Sequence, residues 1–311
     1  MYQGGTYFKY GEMYGNTSGL NGNHTIGVYT SNDFKTWYNH GSAFSDPERP
    51  VPAGIYYQPY VAYHPSNHYF VMYFNYYSIP LQPAWNGSLA VATSLDGIVF
   101  SFHGYIPIGA ADVDGNAMFL DDDGTMYVTY SSIAENHAIV IEKAAPDWLS
   151  LLGIFSRVPG FSMEGSVLAK YGSTYFLLVG DENCTFCSWG ATVFVFSAQS
   201  MAGPWVFLTD INSPLPSVAT RSIRSSHLES RTRNLVNNHN LIPAQFLTLS
   251  FIPLPAPASG FTYLFQGERW TSTPDGTKGH DYQYFIPLTF GENGTTITHL
   301  QPFVDQWDLP I

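Results

Sequence analysis

Short apolar runs rich in Tyr, Phe and Val alternate along this chain with polar clusters of Gly, Asn, Asp and Pro. One aromatic run recurs five times: Thr6–Gly11, His68–Tyr73, Met126–Tyr130, Thr174–Leu178 and Thr262–Gln266. Each follows a turn-forming cluster, and each is followed by a second run: Ile26–Ser31, Leu89–Ser94, Ala138–Glu142, Thr192–Ser197 and Tyr284–Leu288. Runs of this length, rich in β-branched and aromatic residues and bounded by turn formers, predict strands. A polar turn and a closing aromatic or apolar segment come next, as in Asn32–Trp37 and Met201–Val206.

Repetition of one multi-strand unit predicts an all-β fold, a five-bladed β-propeller. A β-sandwich with coincidentally Tyr-rich strands is the alternative, but a sandwich does not require the same strand order in every copy. The innermost strand of each blade is expected just before the aromatic run, and four are visible: Gln58–Tyr63, Asp114–Phe119, Glu164–Ala169 and Ala244–Leu249. Only six residues precede Tyr7, so the first blade is expected to lack its innermost strand. Residues 1–311 read as one propeller domain, interrupted by a long loop insertion at about 207–240. Within it, Arg221, Arg224, Arg231 and Arg233 break both strand alternation and any apolar helical face. That segment is either a flexible surface loop or a lid that contacts anions over the axis.

Composition narrows the partners. Asp, Glu, Lys and Arg make up only 12% of residues, too few for a surface of charged helices. A net charge of -12 argues against nucleic acid and against an anionic membrane, both of which reward basic patches. A monomer that meets neutral ligands fits better. Two cysteines, Cys184 and Cys187, are too few for a disulfide framework. They read as a local disulfide or buried thiols, and less well as a metal or redox pair, because no second Cys pair accompanies them. Glycosylation sequons at Asn16, Asn23, Asn86, Asn183 and Asn293 favour a secreted protein, although neither a signal peptide nor a membrane span is visible.

Counting back eleven residues from Tyr69, Tyr127 and Tyr175 lands on Gln58, Asn116 and Glu164, and Gln245 opens the corresponding strand of the fifth copy. In a propeller these strand starts converge on one mouth of the axis. Gln58, Asp114 or Asn116, Glu164 and Gln245 would therefore share a pocket. Two carboxylates facing each other among aromatic residues can perform glycoside hydrolysis, one donating a proton and the other tuning it or activating water. Trp85, Trp189 and Trp270 could offer faces to a sugar ring. A non-catalytic propeller with a polar, hydrated axis would present the same residues, so spacing alone leaves both readings open. Asp121–Gly124 reads as a β-turn, since the ligand spacing of a calcium loop is missing.

Several segments resemble, in order, the five-bladed propellers of glycoside hydrolase family 43, in particular the branch that includes exo-β-1,3-galactanases and their eukaryotic relatives. They are Gly5–Glu12, Phe119–Tyr127, Met163–Ser166, Gly203–Trp205, Gly267–Trp270, Pro274–Asp281 and the region from Cys184 to Cys187. The resemblance implies an exo-acting, inverting hydrolase of galactan- or arabinan-type oligo- or polysaccharides. It implies Glu164 as general acid, and Asp114, with Asp112 as the alternative, as the carboxylate that orients Glu164. It also implies a base-like role for Gln245, and sugar-contacting or supporting roles for Glu12, Gln58, Asn116, Glu268, Arg269 and Trp270. No metal ligand set and no cofactor are expected, apart from room for a structural ion at the axis. The sequence departs from the branch in three places. A His-Gly-Gly strand is missing before Met1, Gly-Ser follows Glu164 where the family has Ala-Pro, and the blade-two carboxylate is replaced near Tyr57 and Gln58. A primary amide is a poor proton acceptor, so a propeller that binds glycans without cleaving them is the alternative.

Overall fold

The computed structural model describes residues 1–14, 25–45, 53–78, 87–160, 162–181, 193–211, 245–256, 260–269 and 282–288, with a few more between 274 and 297. The described elements are all strands: β1 (Tyr2–Gln3), β2 (Thr6–Met13), β3 (Thr25–Ser31), β4 (Tyr38–Ser42), β5 (Gly54–His64), β6 (Tyr69–Ser78), β7 (Ser88–Ser94), β8 (Ser101–Ile106), β9 (Asp114–Leu120) and β10 (Met126–Ser132). There follow β11 (Ala138–Ala144), β12 (Leu151–Arg157), β13 (Met163–Tyr171), β14 (Thr174–Asp181), β15 (Val193–Ala198), β16 (Val206–Asp210), β17 (Gln245–Ala256), β18 (Gly260–Arg269) and β19 (Tyr282–Leu288).

These strands form five antiparallel sheets in chain order, β1–β4, β5–β8, β9–β12, β13–β16 and β17–β19. They are the blades of a propeller, and β5, β9, β13 and β17 neighbour one another around the axis, with β1 beside β17. The first blade's innermost strand is the two-residue β1, paired only with Thr6 and Tyr7 at the start of β2. Val206–Asp210 is the outer strand of the fourth blade, so the expected insertion can begin only after it. The arginine-rich segment, the sequons, both cysteines and Trp85, Trp189 and Trp270 lie outside the described residues.

Sequence explains the radial gradient of each blade. The second strand of the third blade, β10, is buried along its whole length. Its outer strand β12 leaves Leu152, Phe155 and Arg157 exposed and buries only Ser156. Apolar side chains fill the clefts between neighbouring blades. Phe8, Val28, Met72 and Phe74 pack between the first two blades. Tyr73, Val91, Met126 and Trp148 pack between the second and third. Ile141, Leu168, Leu177 and Trp205 fill the next cleft, and Phe176, Val195, Phe265 and Leu288 the one after it. Each such large side chain, removed from water, contributes about 1.5–3 kcal/mol.

The polar turns that close the blades are equally systematic. Asp33 accepts the amides of Lys35 and Thr36 at 2.8 and 2.7 Å, and Asp96 accepts those of Ile98 and Val99 at 2.8 and 3.0 Å. These are the local side-chain bonds that favour Asp in turns. The closing aromatic then docks on the preceding blade. The Phe100 amide donates to the Ala43 carbonyl at 2.8 Å, the Tyr73 hydroxyl to the Trp148 carbonyl at 2.9 Å, and the Trp205 indole to Ser156 Oγ at 3.1 Å. Asp121–Gly124 is a turn, closed by the Gly124 amide on the Asp121 carbonyl at 3.0 Å.

Candidate active site

The inner strands begin with one shared irregularity. In β5 the pairing steps from Tyr57↔Asn75 to Tyr60↔Tyr73, in β9 from Asp114↔Ser131 to Asn116↔Tyr130, and in β13 from Glu164↔Gly180 to Val167↔Leu178. The residue after the last site-end pair is left-handed each time: Gln58 at φ 49°, Gly115 at φ 64° and Gly165 at φ 63°. This is a bulge, a device that re-aims a side chain at a strand end. It makes Tyr57, Asp114 and Glu164 structural equivalents. Gln245 takes the same place in the fifth blade, where Gln245↔Glu268 is the last pair before a longer break.

This register corrects the alignment expected from counting. Gln58 and Asn116 do not stand level with Glu164; Tyr57 and Asp114 do. The hairpin turns differ in length, four residues before β6, five before β10 and two before β14, so a fixed count from the aromatic strand drifts.

Gln58 supports the backbone of the ring. A non-glycine residue in the left-handed region costs about 1–2 kcal/mol. Its amide donates to Glu12 Oε1 at 2.8 Å, and its carbonyl accepts Asn116 Nδ2 at 2.9 Å. Glu12 and Asn116 thus clamp the Gln58 bulge from the neighbouring blades. Gly115 is required for another reason: a Cβ there would stand 2.9 Å from Gln58 Oε1 and 3.3 Å from the Gly165 amide nitrogen. The three bulges therefore meet closely at the axis.

Asp114 and Glu164 are both 8% exposed and sit on adjacent blades. Ser131, the strand partner of Asp114, donates to the Met163 carbonyl at 2.7 Å, and Ser166 donates to Thr129 at 2.7 Å, which ties the start of β13 to β10. The approach to Glu164 is also anchored, since the Met163 amide donates to the His137 carbonyl at 3.0 Å. Asp114 Oδ1 accepts the Tyr57 hydroxyl at 2.5 Å and lies 3.5 Å from that of Tyr77. Asp112 is turned elsewhere, onto Ser132 Oγ at 2.9 Å and the Ala134 amide, so it serves a turn and Asp114 serves the axis.

Burial raises both phenols well above the ordinary tyrosine range, and the Asp114 charge raises them further, so both keep their protons. Sequence reasoning passed over Tyr57 as a site residue and missed Tyr77 and Asn75. The available signal was Asn75, a fully buried amide inside an otherwise aromatic strand. Gln245, Glu268 and Arg269 are placed here by backbone register alone.

A cavity of about 800 Å3 runs along β5 from Pro59, just after the Gln58 bulge, to Tyr63, and is also lined by Tyr10, Trp37, Leu120 and Gln266.

The model of glycosyl hydrolases family 43 matches residues 5–227. The chain belongs to this family. Among solved structures, an exo-β-1,3-galactanase from Clostridium thermocellum superposes with a TM-score of 0.73 at 19% identity, covering 96% of this chain and 59% of the other. A family 43 β-1,3-galactosidase with galactodeoxynojirimycin gives 0.74 at 18%, covering 99% and 94%. An exo-β-1,3-galactanase from Phanerochaete chrysosporium with β-1,3-galactotriose gives 0.71 at 21%, covering 96% and 61%. The chain thus spans about three fifths of the length of the two galactanases, and at these identities the likeness is one of fold. No curated protein matches the chain.

Family membership gives the ring of Tyr57, Asp114 and Glu164 a chemical context. A propeller of glycosyl hydrolases family 43 presents two buried carboxylates on neighbouring blades at one mouth of its axis.

Proposed function

We propose that this family 43 protein hydrolyses galactan-type glycans, as an exo-acting, inverting enzyme with Glu164 as general acid. The observation that carries the proposal is the shared bulge register, which sets Asp114 and Glu164 level on adjacent inner strands. A carboxylate beside a second carboxyl disfavours a second negative charge and keeps a proton on one of them. Glu164 then donates that proton to the leaving glycosidic oxygen, while Asp114 stays ionised and holds the acid's affinity for the proton high. Gln245 stands at the same ring position in the fifth blade and would orient the attacking water, whose proton passes to a neighbouring solvent water as the new C–O bond forms, since an amide is a poor base. Glu12, Glu268, Arg269 and Trp270 would contact the sugar or support those contacts. The structural neighbours, two exo-β-1,3-galactanases and a β-1,3-galactosidase, favour β-1,3-linked galactose over arabinose as the first substrate to try.

The decisive assay is release of reducing sugar from β-1,3-galactan, with arabinan in parallel, by the wild-type protein and Glu164→Gln. The substitution should lower turnover by about 10²- to 10⁴-fold, the range of one general acid, while calorimetric binding of β-1,3-galactotriose is retained. Unchanged turnover in Glu164→Gln would remove Glu164 from the acid role. Proton NMR of the first product anomer tests inversion. A glycan-binding protein without turnover is the second reading, favoured by the phenol at Tyr57 and the amide at Gln245, two of the four ring positions with no carboxylate. Galactotriose affinity without sugar release from either polymer would establish it.

A further inference from the structure

Three equivalent positions on the ring carry two carboxylates and one phenol, and the phenol points to its own role. Tyr57 is 4% exposed, and its ring stacks on Tyr77 with centroids 5.1 Å apart and planes within 9°. The two hydroxyls are 2.5 Å apart, and Asn75 Nδ2 reaches Tyr57 at 3.3 Å. Asn116 in turn donates to Asn75 Oδ1 at 2.5 Å. Tyr57 has one proton for two acceptors, Asp114 Oδ1 and the Tyr77 oxygen, each 2.5 Å away, and Tyr77 directs its own proton at Asp114 Oδ1 at 3.5 Å, so the pair supplies the carboxylate whichever way the Tyr57 proton turns.

We propose that Tyr57, backed by Tyr77 and Asn75, is a positioning residue that holds Asp114 ionised and oriented, leaving the proton of the carboxyl pair on Glu164. The proposal rests on the acid role of Glu164 for its consequence, and on the hydrogen bonds alone for its first step. A third carboxylate at the Tyr57 position would add negative charge to a site where, among the described residues, no ion pair reaches Asp114. Each carboxyl would then compete for a proton. A neutral donor does the reverse, because a hydrogen bond given to the charged form favours that form. Among the described residues, titratable groups around Asp114 are few. Tyr57 of β5 and Tyr77 of β6 touch it, Glu164 of β13 lies on the neighbouring blade, and Glu12 of β2 is engaged with the Gln58 amide. Asp112 faces Ser132, and His137 sits beyond Ser131 at 3.5 Å.

The test is carboxyl carbon-13 NMR of the full chain, following Asp114 and Glu164 through a pH titration in wild type, Tyr57→Phe, Tyr77→Phe and Tyr175→Phe. Tyr57→Phe removes one hydroxyl and should raise the Asp114 midpoint by about one pH unit, the scale of one charge-assisted hydrogen bond. Tyr77→Phe should raise it less, since that hydroxyl lies 3.5 Å from Asp114 Oδ1. Tyr175→Phe, whose hydroxyl bonds Asp121, should leave Asp114 where it is. An Asp114 midpoint unmoved in Tyr57→Phe would overturn the proposal, as would an equal shift in Tyr175→Phe. None of these readings needs turnover. A protein that shows the Asp114 shift but releases no sugar would support the positioning role and count against hydrolysis alone.

Discussion

Asp114 and Asp121 mark the two ends of one strand, are each 8% exposed, and each accept a short bond from a tyrosine hydroxyl. Their remaining partners separate them. Asp121 receives Lys170 Nζ at 2.6 Å from the next blade, with that ammonium also 4.8 Å over the Tyr175 ring. Burial alone would raise its affinity for a proton, but the bonds from Lys170, Tyr175 and the Asp122 amide outweigh burial and hold its carboxyl below the ordinary range. Among the described residues Asp114 has phenols and no cation for partners, and a second carboxyl stands on the neighbouring blade. One end of β9 uses a carboxylate to join blades. The other holds a buried carboxyl that takes its hydrogen bonds from phenols.

This contrast can be broken at either end. If Asp114 keeps Glu164 protonated as proposed, Asp114→Asn should move the basic limb of the kcat profile down by about one to two pH units. Thermal and urea unfolding of the same variant should be unchanged or stabilised by up to about 1 kcal/mol, because an uncompensated buried charge is gone. A pH profile identical to wild type would make Asp114 a structural group like Asp121. Asp121→Asn should do the opposite, with galactan turnover per folded molecule unchanged and a stability loss of about 1–2 kcal/mol in urea.

The sign of its pH dependence follows from the lowered affinity. Stability supplied by Asp121 is complete above the ordinary aspartate range near pH 4, and is lost as pH falls through the lower folded value. Asp121→Asn should therefore flatten the acid side of the stability curve. The smallest effect is expected at the exposed pair of Arg157 with Glu135, 2.8 Å apart, where Arg157→Ala should cost less than about 1 kcal/mol and lose its effect in high salt. A larger loss there would mean that an exposed pair within one blade contributes as much as the buried pair of Asp121 with Lys170 between blades.

Much of the fold was legible in the sequence. The aromatic run, the second run and the polar turn recur in fixed order, so Tyr127, Ile139 and Asp147 could be placed on strand, strand and turn by comparison with Tyr69, Val91 and Asp96. The place of Glu164 at the start of an inner strand was legible as well, because it is the only acidic residue of an otherwise mostly apolar run. The site around it was less so. Tyr57, Tyr77 and Asp114 meet across separations of 20 and 57 residues, and no local pattern reports such contacts.

What the sequence by itself determined is the repeating unit and the acid at its fourth copy, because strand period, turn chemistry and blade order are local properties that each copy states again. Which residues stand level with that acid was decided only by the tertiary structure. Bulges at Gln58, Gly115 and Gly165 and hairpin turns of unequal length shift each inner strand by a residue or two. Such shifts are invisible to counting, yet they decide whether a phenol, a carboxylate or an amide faces Glu164.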